Sequence, residues 1–177
     1  MVKKSYSKAN SLDKNSSIKS KLCLYGLGSI GDYLLDILKK KGFEVEFVID
    51  RKLAGSNRNG IPILSLEDAK KRSLNEFECI ISLHNHYVDL IKLNSDLKNL
   101  GFAKISSIIN IRSLLPDFNL PNGYWLDFEE DLQSVKKELD HAKEKLNDDK
   151  SKDIFEKIIN YRQVGSLSDY PFPSLKD

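Results

Sequence analysis

Three short segments carry residues whose types and spacing suit chemistry on a phosphorylated small molecule. The first is Gly26-Leu27-Gly28-Ser29-Ile30-Gly31, a glycine-rich turn between an apolar run and a helix-like segment. Such a turn presents free N–H groups and the positive end of a helix dipole to an anion. Each glycine has a task there: Gly26 turns the chain sharply off the strand, Gly28 keeps a Cβ away from an approaching phosphate, and Gly31 lets the helix lie close on the sheet. The second is Asp50-Arg51, whose acid lies 19 residues past Gly31, close to the roughly 20 residues at which a carboxylate reaches a ribose hydroxyl pair. That carboxylate would repel a ribose 2′-phosphate, which favours an NAD-like over an NADP-like dinucleotide, with Arg51 pulling the other way. The third is Ser82-Leu83-His84-Asn85-His86. His84 and His86 alternate as in an extended segment, but a metal would need a third and usually a fourth ligand, so His84 and Asn85 are assigned to ligand contact or loop hydrogen bonding.

The elements around these residues must bring them together. The pattern predicts a strand at 21–25, a helix at 29–41 with Leu34, Leu35, Ile37 and Leu38 on the sheet, and a strand at 44–49 that is apolar on both faces. Lys39, Lys40 and Lys41 followed by Gly42 suit a helix end. A polar loop, Arg51 to Gly60, leads to an edge strand, Ile61 to Leu64, where proline is tolerated. A short helix at 66–72, a strand through Cys79 to Leu83, a helix at 87–100 and a strand around 105–109 complete the unit. Strands alternating with helices at this spacing give an α/β fold, a doubly wound, mostly parallel Rossmann-like sheet, with ligands beyond the carboxyl ends of the strands. The glycine turn, the Asp50-Arg51 tip and the segment after Ile81 converge there.

Other candidates carry no chemistry. His141 sits among charged residues and reads as a surface side chain. No G-x-S-x-G elbow is present, no second glycine-rich turn precedes an acidic strand end, and no residue is assigned as catalytic. The two cysteines, Cys23 and Cys79, lie in apolar strands and read as reduced core residues, which fits a cytoplasmic protein. The net charge is +2, but the first 20 residues, with five lysines against Asp13 alone, carry +4, which leaves about −2 for the remaining 157. The rest of the chain is therefore slightly acidic, which argues against a nucleic-acid partner. No apolar run approaches the length of a membrane span.

Residues 1–20 are rich in Ser, Lys and Asn and read as a flexible tail. The Rossmann-like domain is expected at 21–115, and 116–177 is expected to hold a linker, two amphipathic helices and an extended exit segment. Phe128, Leu132, Val135, Leu139, Ala142 and Leu146, spaced 4, 3, 4, 3, 4, form a heptad seam. With Ile154, Phe155, Ile158, Ile159 and Tyr161 they predict a C-terminal helical hairpin packed on the domain, the alternative being a homodimer contact through the helices at 127–163.

Taken together, these motifs resemble the N-terminal, non-catalytic region of FkbM-family methyltransferases. The likeness is carried by Leu24-Tyr25-Gly26-Leu27-Gly28-Ser29-Ile30-Gly31, Phe47-Val48-Ile49-Asp50, Gly60-Ile61-Pro62-Ile63-Leu64-Ser65 and Leu83-His84-Asn85-His86-Tyr87-Val88-Asp89. Leu100-Gly101-Phe102, Gly123-Tyr124-Trp125-Leu126, Asp148 through Phe155 and Tyr161-Arg162 extend it over about residues 22–173. The G-I-P strand also resembles N-terminal domains of sugar-nucleotide acyltransferases. The FkbM resemblance implies an accessory domain whose S-adenosylmethionine-binding catalytic domain lies downstream of Asp177. Tyr25 stands where a methyltransferase loop would follow an acid, so Gly26–Gly31 is not that loop. The expected ligand of this domain is a nucleotide, a nucleotide-sugar or NAD. Two alternatives stay open: a docking or dimerisation module with an empty turn, and an NAD-binding sensor or oxidoreductase fragment.

Overall fold

Runs that are apolar on both faces become the centre of a sheet, because neither face can be left to water. In the computed structural model, which describes residues 21–83, 87–112, 115 and 134–170, the three central strands are of this kind. They are β1 (Lys21–Tyr25), β2 (Val45–Ile49) and β5 (Phe77–Ile81). With β3 (Asn57–Arg58), β4 (Ile61–Leu64) and β6 (Lys104–Ser107) they form one six-stranded sheet in the order β3-β4-β2-β1-β5-β6. Every pairing is parallel except β3 with β4. The chain order reverses between β1 and β5, which puts the ligand crevice of such a sheet at the carboxyl end of β1. The fold is therefore Rossmann-like, as the strand–helix alternation predicts.

Helix α1 (Ser29–Lys40) buries Leu34, Leu35 and Leu38, three positions on one helical face. Its C-terminal Lys39 and Lys40 complement the dipole. Phe47 and Phe77 meet edge to face at 5.0 Å on the sheet, and the Arg72 guanidinium covers the Phe47 ring at 4.9 Å. Cys23 and Cys79 are direct neighbours on β1 and β5, both free and fully buried.

Several boundaries differ from the pattern-based expectation. The polar loop 51–60 contains β3, and Asn59 (φ 53°) with Gly60 (φ 86°) makes the tight turn back into β4. Two consecutive positive φ values joining antiparallel strands are the type I′ hairpin geometry, for which Asn-Gly is the preferred pair. Consequently β4 is not the sheet edge. Pro62 is tolerated because the parallel ladder with β2 begins only at Ile63. The helix expected at 66–72 is α2 (Leu66–Ala69), capped by Ser65, whose hydroxyl accepts from the Asp68 N–H. The strand expected through Leu83 ends at Ile81. The helix expected at 87–100 is α3 (Leu90–Asn99), because the Asp89 side chain caps it by accepting from the Lys92 N–H.

The strand expected around 105–109 stops at Ser107, and Ile108 to Arg112 form α4. Ile108, Ile109 and Ile111 are buried at helical spacing, and Asn110 Oδ1 accepts from both the N–H and the hydroxyl of Ser107, each at 2.9 Å. A run of isoleucines looks like a strand until a side chain satisfies the first backbone groups of a helix.

Of the C-terminal helices, the described parts are α5 (Lys136–Glu144) and α6 (Asp149–Val164). Asp148 caps α6 by accepting from the Ser151 N–H and hydroxyl. The far end of α6 docks on the sheet: Tyr161 is buried, stacks edge to face on Tyr170 at 5.0 Å, and the Gly165 carbonyl accepts from the Ser107 hydroxyl at 2.8 Å. In contrast, α5 buries no residue. The tail 1–20, most of the linker, the first turns of the helix expected from 127, and 171–177 lie outside the described residues.

Candidate functional site

The glycine turn leaves β1 at Tyr25 and is fixed from three sides. The Gly26 N–H donates to the Ile49 carbonyl at 2.8 Å, continuing the β1–β2 ladder into the turn. Gly26 then takes φ 99°, and an added Cβ would collide with the Leu83 side chain. Ser82 sits behind, its hydroxyl 2.6 Å from the Gly26 carbonyl and 3.1 Å from that of Tyr25. Gly31, in the first turn of α1, lies directly over the Gly26 carbonyl, where a Cβ would overlap the oxygen. Gly26 and Gly31 are thus required by the fold.

Gly28 differs from both. Its backbone is ordinary (φ −73°, ψ −173°), and a Cβ added there would meet nothing within 4 Å. The space in front of it is open. Gly28 caps α1, with its carbonyl accepting the first helical bond from the Asp32 N–H at 2.9 Å. The N–H groups of Ser29, Ile30 and Gly31 lie in the first turn and have no acceptor within the helix. Gly28 and Ser29 are exposed, Ile30 is half-buried against the core, and Leu27 is buried.

Asp50 faces this turn from the tip of β2. Its Oδ2 accepts from the Leu27 N–H at 2.8 Å, and its Oδ1 accepts from the Lys52 and Leu53 N–H groups at 2.9 and 3.1 Å. Burial pushes this carboxyl up, but the three backbone donors and the Lys52 charge outweigh it and hold the group below the usual aspartate range. A carboxylate oxygen has two lone-pair positions, so Oδ1 is filled and Oδ2 keeps one. The acid is thus a tie between strand tip and turn that can take one further hydroxyl. Arg51 is exposed and makes no ion pair among the described residues.

The structure therefore places Gly26, Leu27, Gly28, Ser29, Ile30, Gly31, Asp50 and Arg51 together at the carboxyl ends of β1 and β2, while His84 and Asn85 lie outside the described residues. The amides of Gly26 and Leu27 are spent inside the protein, which leaves the helix-start amides as donors. The sequence reasoning missed the contribution of Ser82, whose only signal is a serine directly after an apolar strand. It also missed the hairpin at 57–60, which straps α1: Arg58 forks onto Asp32 at 2.6 and 2.7 Å, Asn59 donates to Asp36, and Lys39 donates to the Asn59 carbonyl. Among the described residues, no group of three or more His, Cys, Asp or Glu side chains is placed to hold a metal, and no helix is long and apolar enough to cross a membrane.

A crystal structure of methyltransferase FkbM from Methylobacillus flagellatus KT superposes on 86% of this chain with a TM-score of 0.61 at 14% sequence identity. The two share one fold. The chain spans 41% of the length of that FkbM methyltransferase. UDP-D-quinovosamine 4-dehydrogenase from Vibrio fischeri is similar over 55% of this chain and 84% of its own, with a TM-score of 0.43 and 22% identity. No family model and no curated protein matches the sequence.

Proposed function

We propose that this chain is an accessory domain of an FkbM-like methyltransferase that binds a nucleotide or nucleotide-sugar at the Gly26–Gly31 turn, the parent enzyme modifying a glycan or metabolite. The observation that carries this reading is the open space at Gly28. The fold demands glycine at positions 26 and 31, whereas a Cβ added at 28 would meet nothing within 4 Å. A glycine there is useful to a ligand whose phosphate must approach the backbone. The donors are the N–H groups of Ser29 and Ile30 in the first turn of α1. The second lone pair of Asp50 Oδ2 takes one sugar hydroxyl, Arg51 supplies positive charge at the rim, and His84 and Asn85 complete the ligand contacts.

S-adenosylmethionine belongs in this reading to a separate catalytic domain of the parent enzyme. The turn fits it poorly, because Tyr25 occupies the place before the glycines where an acid would stand. The partner is thus a phosphorylated small molecule, with neither nucleic acid nor membrane involved. Titration calorimetry with a UDP-sugar, NAD and S-adenosylmethionine tests this. Binding of the UDP-sugar is the expected result. Saturable binding of NAD alone favours the sensor or oxidoreductase reading, and binding of none of the three refutes the ligand-binding role.

A further inference from the structure

We infer that the Asn59-Gly60 turn is a deamidation site which its clasp on α1 holds closed, and that modification there releases the clasp irreversibly. The hairpin carries this independently of whatever the glycine turn binds. An asparagine followed by glycine is the pair most prone to the reaction, because glycine has the freest backbone and no Cβ to hinder attack on the side chain. The Gly60 nitrogen, its proton lost to hydroxide, bonds to Asn59 Cγ. The Cγ–Nδ2 bond breaks, and Nδ2 takes up a proton and leaves as ammonia. Water then opens the cyclic imide at either carbonyl. One opening gives aspartate, and the other gives isoaspartate, whose main chain runs through Cβ.

Residues 51–60 are all exposed, so water reaches the turn, but the geometry withholds the attack. In a type I′ turn the first central residue has ψ of about +30°, which sets the next nitrogen nearly opposite the side chain across the Cα–C bond. Hydrogen bonds fix that arrangement. The Gly60 N–H, which must lose its proton, donates to Asn57 Oδ1 at 2.9 Å. Asn59 Nδ2, the leaving group, donates to Asp36 Oδ1 at 3.1 Å, and the Asn59 carbonyl accepts from Lys39 Nζ at 2.8 Å. Arg58, forked onto Asp32, anchors the same hairpin. Reaction therefore starts from a hairpin that has lifted off α1, at a rate set by how often it lifts. Afterwards the hairpin no longer fits. Aspartate lacks the amide donor and sets a second carboxylate against Asp36, and isoaspartate adds a main-chain atom to a tight turn whose geometry fixes the pairing of β3 with β4.

The test is mass spectrometry of the peptide spanning Asn59-Gly60 after incubation of the full chain in mildly alkaline buffer, beside the same chain in urea. Asn122-Gly123, the other Asn-Gly pair of the sequence, is read from its own peptide. In urea Asn59 is expected to convert to aspartate and isoaspartate, and in the folded chain to do so about tenfold more slowly or slower still. Asp36→Ala and Arg58→Gln are each expected to keep the wild-type circular dichroism and to raise the folded-state rate about threefold. Asn59→Asp, which reproduces one product, should speed hydrogen exchange across 57–63 while β1 and β5 stay protected. Equal rates for Asn59 in the folded chain and in urea overturn the proposal, and so does an Asn59 that stays intact in urea. A folded-state rate that neither Asp36→Ala nor Arg58→Gln changes shows that the clasp is not the gate, and unchanged exchange in Asn59→Asp contradicts the release.

Discussion

Asp50 Oδ2 lies 2.8 Å from the backbone nitrogen of Leu27, so the acid at the tip of the second strand holds the glycine turn of the first crossover. One carboxylate thereby fixes two loops, since its other oxygen gathers the Lys52 and Leu53 amides. Asp50→Asn keeps the shape but replaces one acceptor oxygen with a donor. At least one of the three amides then loses its acceptor, whichever way the amide is turned. The expected loss is about 1–3 kcal/mol of stability, visible in urea as a lower midpoint with an unchanged slope.

Acid should undo the same tie. The folded-state pKa of Asp50 lies below its unfolded value, so its contribution is complete above the unfolded aspartate value of about 3.9 and fades as pH falls through the lower folded value. Asp68 and Asp148 are lowered as well, held by Lys71 and Ser65 in one case and by Ser151 in the other. The informative quantity is therefore the stability difference between wild type and Asp50→Asn. It should be constant from pH 7 to pH 5 and shrink below pH 4. A difference that grows on acidification would contradict the assignment.

The three glycines of the turn should separate cleanly by alanine substitution. Gly31→Ala sets a methyl against the Gly26 carbonyl, and Gly26→Ala adds a collision with Leu83 to an unfavourable φ. Each should cost about 1–3 kcal/mol or more. Gly28→Ala should cost less than either, about 0.5–1 kcal/mol, because its methyl meets no neighbour and only a better N-cap residue is lost. Urea denaturation of the three variants checks the order.

The sheet was legible because β1, β2 and β5 are apolar on both faces and each crossover ends in a glycine or a cap. The turn was legible for the same local reason, since strand, glycines, helix and acid follow one another within 30 residues. What the pattern hid is long-range or unaligned with apolar periodicity. Asn57 and Arg58 are polar strand residues whose pairing follows from the Asn59-Gly60 turn, not from hydrophobic alternation. Ile108 and Ile109 directly follow β6 and read as its continuation, and only Ser107 and Asn110 show where the strand becomes a helix. The role of Asp50 was half visible: its spacing from Gly31 places it at the turn, but nothing in the sequence shows that backbone amides take most of its acceptor capacity.

Tyr161 fastens α6 to the sheet. Its ring is buried against Tyr170, and burial, reinforced by Tyr170 and opposed by a hydrogen bond with Ser107, raises its hydroxyl pKa far above the usual tyrosine value. Tyr161→Ala should cost about 3–5 kcal/mol. Tyr161→Phe, which removes only the hydroxyl, should cost about 1 kcal/mol. Hydrogen exchange should show the loss first in α6 and α4, with β1 and β5 still protected.

The most direct test of the ligand-binding reading compares wild type with Gly28→Val by calorimetry, using a UDP-sugar, after circular dichroism has shown that both are folded. The prediction is measurable binding by the wild type and at least a tenfold loss in the valine variant, because the side chain would fill the space that the fold leaves empty. Equal affinity in the two proteins, or no binding by either, would contradict it.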